Sequence, residues 1–469
     1  DRTRTECRQR RDWARENKNI FVRICMADSF HCLKNAEKTK KRKKVRCEEC
    51  NARILALYFR EISAIIDGQK PKRGKRSKTM QALSERKGKL KNGASLVTFS
   101  APHLHSVSFA VVLPFVPDGT PGIYHLIEHL FFEKAGVRRA DEINAEMTSR
   151  GSEIMGYTSI QYMCFNFTCR QEVFRDQLRL LFDMLREQDF GQEELDKVLP
   201  VIRNEIFEYN FYDSRASDLL RELWFDSRFI NSVLGSSSVL DGLTLEEIRE
   251  EREKLFTKDM CLFLSGAFRK EDVQEVLDTF GELPLRSVHR EPPRQEEKVV
   301  KEINKIGHGR ELQVLVTYHV EKASKDLKMA VHWLRCALFD GLDAAFYRFF
   351  NERGFRFYSV DGNYNIRGDE LIFSYLVHIE KKDKKRFEPL VYEFEEYAAK
   401  TPFLSLVKPY LHDNIVFLYD NPERLCSHYV ETWADFSAPV TLQEGLDVCG
   451  SFTDEKLAGF WKEICSSLR

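Results

Sequence analysis

Thr120-Pro-Gly-Ile-Tyr-His125-Leu-Ile-Glu128-His129-Leu-Phe-Phe-Glu133 is the most informative stretch of the chain. At about 100° per residue, a helix here gathers Ile123, Leu126, Ile127, Leu130 and Phe131 on one side. His125, Glu128 and His129 share a sector of about 100° on the opposite side. Thr120 can cap this helix, and Pro121 suits its first turn, where a missing N–H does no harm. One face can then pack on a sheet while the other presents two imidazoles and a carboxylate. Imidazoles at i and i+4 both reach a single divalent ion, and zinc is the usual occupant of such a site. A third protein ligand is needed, which leaves the fourth position for water. Glu128, one residue before the second His, is placed to take a proton from that water rather than to bind metal. The order H-x-x-E-H reverses the commoner H-E-x-x-H of metallopeptidases. So short a pattern also arises by chance, and many helix histidines are ordinary surface residues. Segregation of the three polar groups from an apolar stripe favours the metal site.

Outward from this helix, strands and helices mix without strict alternation. Asn92-Gly93 is a turn signal, Ala94 to Ser100 reads as a strand, and Pro102 breaks it. Val107, Phe109, Val111 and Leu113 then alternate along a second strand. Gly156 to Cys169 reads as a strand pair. Phe174, Leu178, Leu181, Phe182 and Leu185 mark one further helix, and Gln192 to Tyr209 another. Pro284, Pro292 and Pro293 among charges mark a linker, beyond which the pattern restarts. Leu312 to Val320 is a strand, Leu327 to Phe350 a long helical stretch, and Phe357 to Ile379 a hairpin turning at Arg367-Gly368-Asp369. The fold class expected is α+β, in two similar halves, each a mainly antiparallel sheet packed with helices.

These motifs together resemble the pitrilysin/insulysin inverzincin metallopeptidases, in particular the branch that holds the mitochondrial processing peptidase and small bacterial relatives. The resemblance runs from about Leu90 to the C-terminus. Lys91-Asn92-Gly93, the turn at Pro102 and the Ser106–Leu113 strand resemble the family's opening hairpin, and Gly122 with Glu128-His129-Leu130 its motif helix. Family members carry a third zinc ligand, a Glu, on a second helix about 76 residues after the motif. Glu205 in Val201-Ile-Arg-Asn-Glu205-Ile stands 76 residues after His129. Glu208, one turn on, is the alternative ligand. The resemblance implies one Zn2+ per chain on His125, His129 and Glu205, with Glu128 as the catalytic base. It divides the chain into a catalytic domain at 91–285, a linker at 286–298 and a second pitrilysin-like domain at 299–469 without the zinc motif.

Two departures bear on mechanism. The family often has an acidic residue seven positions before the third ligand, and Val198 stands there. Relatives also carry Asn-Ala-x-Thr on the strand whose edge pairs with peptide substrate. Here the strand reads Met155-Gly156-Tyr157-Thr158, so the small residue and the Thr are kept and the Asn is replaced. Strand addition uses backbone groups, and these four residues remain the expected peptide-binding edge. In the second half, Asn351-Glu-Arg353-Gly-Phe-Arg-Phe-Tyr358 resembles the segment that supplies an Arg and a Tyr to the scissile peptide. Tyr358 would donate to the oxyanion. Arg353 lies five residues before it, whereas some relatives have the Arg seven before, where Asn351 stands.

Residues 1–90 differ in texture, with 27 Lys and Arg against 11 Asp and Glu, so the chain's zero net charge conceals a basic segment on an acidic body. Lys38 to Lys44 and Lys70 to Lys78 are basic runs, and Ile54, Leu57, Tyr58, Ile62 and Ile65 between them recur at helical spacing. Cys25, Cys32, Cys47 and Cys50 are a possible structural zinc set or free thiols. No nucleic-acid-binding fold accompanies the charge, and no role is assigned to this segment. No run of eighteen apolar residues occurs, so no membrane helix is expected, and the Arg-rich start does not read as a secretory signal. Twelve cysteines in 469 residues suit a reducing compartment, and a cytoplasmic location is expected. The reading from sequence is a zinc endopeptidase for short or unfolded peptides, with a peptide substrate and a homo- or heterodimeric partner subunit. Processing of a peptide precursor is one role open to it. The rival is a non-catalytic subunit of the same fold that binds peptides for a catalytic partner.

Overall fold

The first sheet has six strands in the order β1-β2-β8-β3-β7-β6. They are β1 (Ser84–Lys89), β2 (Ser95–Ser100), β3 (Ser106–Pro114), β6 (Ile154–Thr158), β7 (Tyr162–Arg170) and β8 (Cys261–Gly266), with a two-residue ribbon β4 (Lys134–Ala135) and β5 (Arg138–Arg139) apart. All pairs are antiparallel except β2 with β8. The structure is a computed structural model that describes residues 84–187, 189–211, 219–220, 233–287, 301–308, 311–341, 343–403, 417–438 and 440–466 apart from 443, 445, 446, 448 and 449. The basic runs, the helix expected from Ile54 to Ile65, the four N-terminal cysteines and residues 288–298 of the linker lie outside the described residues.

One face of this sheet is covered by α1 (Ile123–Phe131), α3 (Phe174–Arg186), α4 (Gln192–Phe211), α5 (Leu245–Lys254) and α6 (Lys270–Gly281); α2 (Ala140–Arg150) leads into β6. The alternating Val107, Phe109, Val111 and Leu113 of β3 face these helices, as their spacing requires. Ala110 and Val112 point the other way and are buried too. Both faces of the sheet are therefore covered.

The second sheet runs β11-β12-β10-β9, from β9 (Lys301–His308), β10 (Glu311–Val320), β11 (Ser359–Arg367) and β12 (Glu370–Glu380), all antiparallel. The β11–β12 hairpin turns at Gly368, with φ +60°, where the sequence placed it. Its core contains α7 (Lys325–Phe339), α8 (Ala345–Glu352), α9 (Lys384–Ala398) and residues of α11 (Asp454–Ser466). The helical stretch expected over Leu327–Phe350 is two helices, broken where Gly341 takes φ +82°. The order of elements in this half repeats that of the first.

The halves exchange cover. Helix α10 (Pro422–Phe436), from the second half, lies on the free face of the first sheet, where Leu425, Cys426, Tyr429, Val430, Trp433 and Ala434 pack on β2, β3, β7 and β8. In return, Leu219 and Leu220 of the first half meet Leu315 and Leu376 on the second sheet. Among the described residues no helix is long and apolar enough to cross a membrane.

Candidate metal centre and active site

Helix α1 begins at Ile123 rather than at Pro121. Thr120 does not cap it; the cap is Gly122, at φ +88°, a conformation that costs glycine little. The reason is crowding. A Cβ on Gly122 would stand 2.6 Å from the Leu234 carbonyl oxygen, so only glycine lets the helix start against that loop. From there the apolar stripe sinks into the core, while α4 and β6 close over the polar side and leave His125 and Glu128 buried as well.

Helix α4 supplies the third group. Leu195, Val198, Ile202 and Ile206 form its buried stripe, and Glu205 sits on the shoulder of that stripe, part-exposed. Glu205 Oε2 lies 3.3 Å from His125 Nε2 and 3.4 Å from His129 Nε2, and the two nitrogens are 3.3 Å apart. Of the two carboxylates considered, Glu205 joins the imidazoles; Glu208 is exposed one turn away. A tetrahedral ion with bonds of about 2.0–2.1 Å holds its ligand atoms about 3.3–3.4 Å from one another. The three donors thus form one face of a zinc-sized tetrahedron. Burial, then the neighbouring His129, pushes His125 down to about 4, so its imidazole is neutral at pH 7 and its lone pair is free for metal. Among the described residues its buried Nδ1 has no hydrogen-bond partner, and none of them supplies the acceptor that usually orients a ligating His. Val198 fits the same pattern: it is core, and offers no carboxylate behind Glu205.

Glu128 is held by β6. Thr158 Oγ1 donates to Glu128 Oε2 at 2.6 Å. A Cβ on Gly156 would stand 3.0 Å from Glu128 Oε1 and 2.9 Å from the Phe132 ring. The residues expected to bind peptide through this strand therefore have a second task, which is to seat the carboxylate. Burial raises Glu128 to about 7, opposed by the Thr158 hydrogen bond and assisted by the Glu205 charge. Met155 and Tyr157 alternate to the other face and are exposed. Among the described residues β6 pairs only with β7, so its outer edge can take another strand.

The two second-half candidates make these contacts within their own half. Arg353 pairs with Glu393 at 3.2 Å and lies 3.7 Å over the Phe349 ring, contacts that stay inside its own half. Tyr358 precedes β11, bonded through its backbone N–H to the His378 carbonyl, with its side chain 76% exposed. At the position of α1, the second half has α7, whose His332 Nε2 lies 3.6 Å from Cys336 Sγ. Among the described residues His125, His129 and Glu205 are the one such group of three. Sequence reasoning missed the Thr158–Glu128 bond and the bond from Tyr124 to Glu251 at 2.8 Å. Their partners are 30 and 127 residues apart, and no local pattern signals either.

Residues 116–237 match the family model described as insulinase, peptidase family M16. An uncharacterized zinc protease of Rickettsia bellii is 27% identical over 173 residues, 36% of this chain and 41% of that protein. The mitochondrial-processing peptidase subunit beta of Saccharomyces cerevisiae is 26% identical over 215 residues, 44% of this chain and 46% of that protein. The matched stretches thus span less than half of each relative. In three dimensions the chain is similar to a protease from Helicobacter pylori, with a TM-score of 0.69 at 14% identity over 82% of this chain and 97% of that one. It is also similar to a peptidase M16 inactive domain from Pseudomonas fluorescens, with a TM-score of 0.70 at 13% identity over 81% of this chain and 94% of that one. At such identities these two likenesses speak to the fold alone, and it is the fold that the sequence led us to expect. The likeness in sequence to the insulinase family, peptidase family M16, thus lies over residues 116–237, and the architecture is that of M16-like peptidases.

Proposed function

We propose that the chain is a zinc-dependent endopeptidase acting on short or unfolded peptides. The observation that carries this reading is the near-equilateral triangle of His125 Nε2, His129 Nε2 and Glu205 Oε2 beside a buried carboxylate that is not part of it. His125, His129 and Glu205 would hold the metal. Zinc, when bound, supplies a Lewis acid that brings water to a pKa of about 7. With Oε2 engaged by Thr158, Glu128 Oε1 is the oxygen left to accept the proton of the attacking water. The same carboxyl returns that proton to the amide nitrogen as the C–N bond breaks, so the products leave as a carboxylate and an amine. The edge of β6 would capture the peptide through its backbone, which suits extended chains and not folded ones. Tyr358 and Arg353 are the second-half candidates to contact the scissile carbonyl, and a homo- or heterodimer with a related subunit would bring in further surface. Trimming of a peptide precursor is a role that this chemistry can serve.

A second reading has one observation in its favour: Arg353 is engaged by Glu393 and Phe349. In that reading the chain binds peptides for a catalytic partner. Metal analysis of the purified chain beside Glu128→Gln decides between them. The peptidase predicts about one zinc per chain in both proteins, and peptide cleavage reduced at least about 100-fold in the variant alone. Zinc in both with no cleavage by the unmutated chain supports the binding subunit, and no zinc in either rejects the metal centre.

A further inference from the structure

A small cavity of about 30 Å³ opens between the end of β6 and the start of α1, walled by Phe115, Pro121, Tyr124, Thr158, Ile160 and Val233. None of the described residues lining it is charged. Its deep wall is braced: Tyr124 stacks on Phe115 with ring centres 3.9 Å apart, and its hydroxyl is anchored on Glu251. Thr158 belongs both to this cavity and to the candidate active site, since its hydroxyl holds Glu128. The cavity is therefore continuous with the peptide-binding edge. A peptide paired with β6 sends alternate side chains toward the face that carries Gly156 and Thr158. The one that passes the Thr158 end of the strand meets the cavity mouth.

Building on the peptidase reading, we infer that this cavity is a specificity pocket for a small apolar side chain of the peptide, alanine to valine in size. Volume sets the upper limit. A water-sized group needs about 10–15 Å³, so the enclosed part takes about two methyl-sized groups and leaves an aromatic ring at the open mouth. Chemistry sets the other limit, because the nearest carboxylate behind the described wall, Glu251, already accepts from Tyr124 and Lys254 and is not left to meet a lysine ammonium. Ile160 lies on the β6–β7 turn and is part-exposed, so its side chain can be changed without opening the core.

The test uses decapeptides carrying Gly, Ala, Val, Phe or Lys at one position at a time. Cuts made by the zinc-loaded full chain are mapped by mass spectrometry, and fluorescein-labelled copies are titrated against Glu128→Gln by anisotropy. At one position, fixed relative to the cut, Ala and Val should exceed Phe and Lys by about tenfold in both readouts. Ile160→Ala should bring Phe level with Val, and Ile160→Phe should remove the advantage of Val over Gly. Binding or cutting without any position that favours small apolar residues overturns the inference. So does a preference that neither Ile160 variant moves while both keep native circular dichroism. Peptides that are neither bound nor cut overturn the peptidase reading, and the pocket with it.

Discussion

Gly156 and Thr158 show how two small residues set the geometry of a third. Gly156 leaves room for Glu128 Oε1 under β6, and Thr158 takes Oε2. Gly156→Ala should push the carboxylate aside while leaving the candidate metal ligands in place. A displacement of this kind costs catalysis about 10–100-fold, and the overpacking against Phe132 costs about 1–3 kcal/mol of stability. Zinc content, kcat and urea unfolding measured on one preparation separate these effects. Thr158→Val keeps the shape and removes the donor, so kcat should fall, whereas Thr158→Ser should restore most of it. Loss in Thr158→Ser but not in Thr158→Val would show that the methyl group matters and the hydroxyl does not. The His, Glu and His of the motif were legible in the sequence because they are neighbours on one helix. The seating of Glu128 was not, since it depends on a strand that the motif does not contain.

Helix α1 owes its starting point to a contact with a distant segment. Local rules favour a start at Thr120-Pro121, yet Gly122 at φ +88° fits against the Leu234 carbonyl and delays the helix to Ile123. Gly122→Ala is expected to strain this backbone by about 1–3 kcal/mol. Because His125 lies in the first turn, zinc affinity should weaken together with thermal stability. Isothermal titration with zinc would read the first and scanning calorimetry the second; unchanged values in both would refute the account. Helix α4 shows the opposite case: expected from Gln192 to Tyr209, it forms over Gln192–Phe211. Leu195, Val198, Ile202 and Ile206 follow helical spacing into the core, which sets Glu205 on the shoulder of that stripe, and packing of α4 against α1 carries it to the imidazole pair.

At the scale of the whole molecule, α10 fastens the second half to the first sheet. Trp433 is 5% exposed and meets Tyr162 edge-on with ring centres 5.7 Å apart. Trp433→Ala should cost about 3–5 kcal/mol, and calorimetry should then resolve two unfolding steps, because the main apolar seam between the halves has been weakened. The end of the same helix introduces a pH dependence. Burial raises Asp435 to about 7, Arg367 opposes the shift, Glu431 adds to it and Lys328 opposes it. Burial also raises Glu431, with Arg424 opposing. A carboxyl raised on folding holds a proton that the unfolded chain has already released between about pH 4 and 7. Its contribution to stability is therefore full below about pH 4 and is lost as pH rises through about 7. Unfolding midpoints should fall across that interval, and Asp435→Asn should flatten the slope; an unaltered slope would show that Asp435 does not titrate there.

The amino-acid sequence by itself determined the periodic features: the polar face of α1, the extent of α4, the alternation in β3, the hairpin at Gly368 and the restart after the linker. These are legible because each depends on residues a few positions apart, whose spacing follows from helix and strand geometry. Only the tertiary structure decided what lies across from them. It brought Glu205 within 3.4 Å of both imidazoles and set Thr158 on Glu128. It also buried the second face of the first sheet beneath a helix from the other half. An amphipathic pattern states that a face must be covered, and any apolar surface of suitable shape satisfies it; packing of the whole chain selects which one does.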